Sequence, residues 1–188
     1  MGAAAPGDAS KRAENQQKLL IEIIKRYDAY IGATNTKIAV ILSYSMAYVG
    51  GVAFKIIDLS AKRSQEWIWW LALILAGASV AATLYAAYRA YEALNPQTPP
   101  GRAQHEKPSI VFFGDVANLA GGRDGYINRI NEITDTETVE DLARQAHVLA
   151  IIVSKKMNTL NVSIHALAKV QLPLSLLTII ALCLTSPS

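Results

Sequence analysis

The chain has 188 residues, of which 52% are apolar and 18% charged, with a net charge of +3. That charge content excludes a bundle facing lipid on every side and requires a soluble portion beside a membrane portion. Its basic residues are interleaved with acids, which argues against a nucleic-acid surface.

Residues Leu19, Leu20, Ile23, Ile24, Tyr27, Tyr30 and Ile31 recur at three- and four-residue steps, which predicts an amphipathic helix from about Ala9 into the first apolar run. Ile38 to Phe54, Trp67 to Tyr88 and Leu172 to Leu184 are free of Asp, Glu, Lys and Arg. A helix crosses a bilayer with roughly 20 mostly apolar residues, so these are three candidate spans, the third reaching that length when extended back through Leu167. The second helix is expected to continue past Arg89 to Asn95-Pro96, where proline ends it, and Asn95 to Pro108 reads as a linker. Ile110 to Phe113 is too short to assign, and Asp124 after Gly121-Gly122 is a candidate cap for a short helix through Tyr126, Ile127 and Ile130. Thr134 and Glu137 have capping-box spacing. Val139, Leu142, Ala146, Leu149, Val153, Met157, Leu160, Ile164 and Leu167 then carry one apolar stripe into the third span.

Fifteen of the 18 basic residues fall before the first span or between Arg89 and Lys169; Lys55, Lys62 and Arg63 lie between spans one and two. Basic segments stay in the cytoplasm, so the N-terminus and the central segment are expected inside, and Trp67, Trp69 and Trp70 fit the outer interface. The charged N-terminus and the run after it carry no removable-signal pattern. The fold class is therefore an all-α membrane protein: a two-helix transmembrane hairpin, a cytoplasmic helical module with a long amphipathic helix, and a third, C-terminal transmembrane helix.

No catalytic pattern is present. His105, His147 and His165 are scattered, and Cys183, the one cysteine, lies in the third run without a metal-ligand companion, so neither a metal nor a cofactor is expected. Glu140 and Asp141 stand near the start of the long helix, where acids suit the dipole. Gly121 to Gly125 lacks the spacing of a phosphate-cradling loop. Small-residue steps (Ala47 to Gly51, Ala72 to Ala76, Gly77 to Ala81) suit either packing within the chain or a homo-oligomer.

Pro108 to Ala117, with Phe112-Phe113-Gly114-Asp115-Val116-Ala117 at its centre, then Tyr126-Ile127, then Glu140 to Gln145 opening the long helix, resembles the transmembrane effector domain of the Pycsar antiphage system. Tyr27 to Tyr30 and Asn35 to Ala39 are similar to that family's approach to its first span, and the resemblance covers about residues 15 to 186. It implies a nonenzymatic effector in a bacterial inner membrane that responds to cyclic UMP or cyclic CMP by impairing that membrane and arresting growth. The chain then divides into an N-terminal helix (1–37), a transmembrane hairpin (38–91), a cytoplasmic ligand-sensing module (92–166) and a C-terminal span (167–188). The confusable reading is a SLATT-like scaffold whose cytoplasmic helix recruits a partner without small-molecule gating.

A pyrimidine cyclic nucleotide requires a stacking ring, hydrogen-bonding groups and a cation for its phosphate. The cytoplasmic segment offers Phe112, Phe113 and Tyr126 as rings, Asp115, Asn118 and Asn128 as polar groups, and Arg123, Arg129 and Arg144 as cations. Phe113, Asp115, Asn118, Tyr126, Arg129 and Arg144 form the candidate set, with Tyr126 and Arg129, three apart on one helix face, foremost. Phe112 and Phe113 have the competing role of core residues packed on the long helix.

Overall fold

A computed structural model describes residues 6–60, 66–95 and 108–184, and among them there are helices and no strands. The chain runs through α1 (Pro6–Ser60), α2 (Glu66–Leu94), α3 (Phe113–Ala117), α4 (Gly122–Glu132), α5 (Asp135–Ala166), a π-helical turn (Leu167–Gln171) and α6 (Leu172–Leu184). The linker expected from Asn95 to Pro108 lies almost wholly outside the described residues, as do Lys62, Arg63, His105 and the tail from Thr185. Three helical stretches are long and apolar enough to cross a membrane: Ser10–Asp58, Trp67–Leu94 and Asp135–Leu184.

The described residues group into two compact units. One holds residues up to Gly32 and from 108 to Ser154; the other holds Ala33 to Asn95 and Lys155 to Leu184. In the second unit, α2 buries Trp69, Ala72, Ala76, Ser79, Thr83, Ala86, Ala90 and Ala93. Their three-four alternation is the heptad of a left-handed helix seam, and its small side chains let neighbouring backbones come close. Thr34, Ile38, Ile41 and Ser45 of α1 follow the same alternation. One apolar cluster joins Ile38 and Ile41 to Ala90, Ala93 and Leu160; a second joins Trp69 and Ala72 to Ala181 and Leu182. The tryptophans therefore divide: Trp67 and Trp70 stay exposed, whereas Trp69 is a core residue rather than an interface anchor.

Polar bonds fasten these helices at several levels. Tyr48 Oη donates to Ser79 Oγ at 2.9 Å, Ser163 Oγ to the Ala86 carbonyl at 2.7 Å, and Lys156 Nζ to Asn35 Oδ1 at 3.0 Å. The α5 stripe also differs from the apolar expectation. Met157 and Ile164 are exposed, and Lys156 and Ser163 take the inward positions, where each has a polar partner on a neighbouring helix, Asn35 and the Ala86 carbonyl.

Two local expectations meet different chemistry. Asp124 does not cap α4; Gly121, at φ 82°, occupies the cap and Asp124 sits in the first turn, where its charge suits the dipole. Gly125 has no substitute there, because a Cβ would run into the Ala120 carbonyl oxygen. The long helix is not one uninterrupted α-helix either. Pro173 cannot donate to the Lys169 carbonyl and its ring crowds that group; the preceding turn widens, so that the Leu172 N–H bonds Leu167 O, five residues back.

Candidate functional site

The segment before α3 is tied to α5 by one buried carboxylate. Asp141, 6% exposed, accepts the Ser109 hydroxyl and the Ile110 N–H through Oδ2, each at 2.9 Å. Ser109 Oγ in turn accepts the amides of Val111 (3.1 Å) and Phe112 (2.9 Å), a side-chain turn that substitutes for backbone pairing. The Ser109 N–H donates to Asp115 Oδ2 at 3.0 Å, and Tyr126 of α4 donates its phenol to the Ile110 carbonyl at 2.9 Å. Residues 109 to 115 are thus held from three elements by polar bonds. Ser109 and Asp141 carry this arrangement, and neither was among the candidate residues; the signal available was an acid in the first third of a helix, directly before the buried Leu142 of the apolar stripe.

The α4–α5 corner is built by the expected capping box. Glu137 N–H donates to Thr134 Oγ1 and Thr134 N–H to Glu137 Oε2, both at 3.3 Å. The same Glu137 oxygen faces Arg129 Nη1 at 3.6 Å, with the two side chains 28% and 18% exposed. Arg129 Nε is buried and has no hydrogen-bond partner among the described residues. A buried guanidinium donor without an acceptor costs about 1–3 kcal/mol, so Arg129 is held in place with one donor to spare.

The six candidates therefore separate. Asp115 and Tyr126 meet at the 109–110 turn and serve its architecture. Asn118 donates to the Gly114 carbonyl at 2.7 Å, closing the C-terminus of α3. Arg129 is committed to the α4–α5 corner. Phe113 contradicts the core role: it is 73% exposed, its ring 4.9 Å from that of half-buried Phe112, which folds over Gly114 where a Cβ would meet it at 2.6 Å. Arg144 is exposed, and with Glu140, Ala143, His147 and Val148 lines a shallow groove along α5. Arg123 and Asn128 are exposed on α4. The structure thus offers a rigid polar turn with an exposed ring on one side and an exposed cation one helical turn beyond Asp141. Among the described residues, no group of three or more His, Cys, Asp or Glu side chains gathers as a metal would require.

No curated protein and no solved structure matches the chain. The family model described as the Pycsar effector protein domain matches residues 19–185, a stretch that takes in the capped turn, the α4–α5 corner and all three apolar helices. By that match, over nearly its whole length, the chain belongs to the Pycsar effector family.

Proposed function

We propose that this protein is a nonenzymatic antiphage effector of the bacterial inner membrane, which senses cyclic UMP or cyclic CMP through its cytoplasmic segment and then breaches the bilayer, arresting growth. The observation that carries this reading is the family match over residues 19–185, which joins a polar module and three apolar helices in one unit of descent. The basic residues favour a cytoplasmic N-terminus and central segment, placing the module on the side where a second messenger is made.

Within the module, Phe113 and Arg144 are the residues best suited to a ligand. The exposed Phe113 ring offers a face for the pyrimidine, worth about 1–3 kcal/mol per stacked base, and the exposed Arg144 guanidinium can pair with the single phosphate charge. Asp115, Asn118 and Tyr126 support the turn from which Phe113 projects, and Arg129 keeps a spare donor. A ligand that orders this segment favours one of two arrangements of the helix leading to the third span. Several copies assemble in the membrane, because three helices are too few to enclose a path.

The scaffold reading draws on the α5 groove of Glu140, Ala143, Arg144, His147 and Val148, whose mixed character suits a partner helix. Calorimetric titration of the purified full chain with each nucleotide separates the two. Saturable binding of one, lost in Phe113→Ala and Arg144→Ala, supports the effector reading; no binding of either nucleotide supports the scaffold.

A further inference from the structure

The packed face of α5 keeps a strict heptad through Val153, Lys156, Leu160 and Ser163 to Leu167. Continued as plain α-helix, that heptad would place Val170, Leu174, Leu177 and Ala181 against α2. The structure instead buries Gln171, Ser175 and Thr178 there, while Val170 and Leu177 are 48% and 51% exposed; beyond them Ala181 and Leu182 are both buried. The π turn inserts the one residue that makes the difference. From 170 to 178, apolar Val170 and Leu177 thus face outward, and polar Gln171, Ser175 and Thr178 inward.

The inward setting has one evident fastener and one evident cost. Tyr44 of α1 donates to Gln171 Oε1 at 3.1 Å, whereas Gln171 Nε2, on a fully buried side chain, has no partner among the described residues. Orphaned amide donors of this kind are destabilising, and π turns concentrate at functional positions.

We propose that the π turn is a register switch for the C-terminal span. Annealing it into α-helix rotates α6 by one residue, about 100°, buries Val170, Leu174 and Leu177 against α2, and turns Gln171, Ser175 and Thr178 outward. A polar stripe at membrane depth is stable only where it faces protein or water. The rotated setting is therefore the one that breaches the bilayer, and Tyr44–Gln171 is the latch that holds the protein shut. This rests on the membrane-breaching effector reading above, but its test does not need the nucleotide.

The full chain, with Cys183→Ser and a spin label at Leu177→Cys or Thr178→Cys, is reconstituted into vesicles of bacterial phospholipid carrying a self-quenched dye. In the otherwise unaltered chain, the label at 177 should be accessible to oxygen and the label at 178 shielded. Tyr44→Phe with Pro173→Leu removes the latch and the proline that favours the π turn; the two accessibilities should exchange, 178 becoming accessible to a water-soluble nickel complex, and dye should leak at least fivefold faster without nucleotide. Deleting Ala168 removes the inserted residue and keeps both packed faces in phase, so the resting pattern should persist and leak should stay at background with cyclic UMP or cyclic CMP. A double variant that is inserted and helical but keeps 178 shielded would overturn the switch. A double variant that exchanges and leaks, beside a wild-type chain that ignores both nucleotides, would uphold the switch and overturn the nucleotide reading alone.

Discussion

Asp141 Oδ2 stands 2.9 Å from both the Ser109 hydroxyl and the Ile110 amide nitrogen, so one buried carboxylate of α5 holds the turn that leads into α3. Hydrogen bonds to a charged acceptor are worth roughly 1.5–3 kcal/mol each, and nothing else in the turn replaces them. Asp141→Ala should destabilise the 108–117 segment by about 2–4 kcal/mol while leaving α5 helical. Hydrogen exchange read at the Val111 and Phe112 amides should accelerate at least tenfold, and unchanged protection would contradict this role.

Gly125 provides a sharper steric test. Its Cβ would meet the Ala120 carbonyl, and Gly121 at φ 82° occupies a region that L side chains enter at a cost of about 1–2 kcal/mol. Gly125→Ala should destabilise the α4 corner by more than Gly121→Ala. Gly122→Asn, at φ 57°, with nothing within 4 Å of the new Cβ, should cost less than either, since asparagine enters this region more readily than other L residues. Thermal unfolding in detergent checks the order.

Lys156, on α5 before the third span begins at Leu167, is buried, and that burial holds its pKa below the ordinary lysine range. The unfolded chain then binds more protons than the folded one between the two values. The penalty is present in full below the folded pKa and is relieved as pH rises towards the unfolded value of 10.5. Lys156→Met should remove the upward slope of stability with pH. An equal slope in both proteins would remove Lys156 from this role.

Gly51 and Gly77 have nothing within 4 Å of an added Cβ, so packing inside the chain does not require either glycine. Gly51→Leu or Gly77→Leu should change the stability of the isolated chain by no more than about 0.5 kcal/mol. If the spans associate through these positions, the fraction cross-linked in membranes should fall several-fold. A chain that is monomeric with and without nucleotide would defeat the oligomeric reading.

Reporter fusions test orientation. With 15 of the 18 basic residues before the first span or between Arg89 and Lys169, fusions at the N-terminus and at Gln104 should report cytoplasm and one at Ser60 periplasm.

The helices were legible because their signals are local. The capping box at Thr134 and Glu137, the stop before Pro96 and the charge-free runs each follow from a few adjacent residues. What stayed hidden depends on partners distant in sequence. Asp141 looks like an ordinary dipole acid until Ser109, 32 residues earlier, is seen folded against it. Gln171 sits inconspicuously beside an apolar run until Tyr44 meets it across 127 residues. The π turn had a local trace in Pro173, yet a proline near a helix start is equally consistent with an ordinary first turn. The competing core role of Phe113 fails for a related reason: in a five-residue helix without buried side chains, an aromatic ring has no core to enter.

The most direct measurement of the central claim is dye release from vesicles containing only the purified full chain, titrated with cyclic UMP, cyclic CMP and, as control, cyclic AMP. The account predicts saturable release by one of the two pyrimidine nucleotides, none by the purine, and a dose requirement raised at least tenfold in Arg144→Ala. Vesicles that stay sealed at saturating levels of both pyrimidine nucleotides, with the protein verified as inserted, would contradict it.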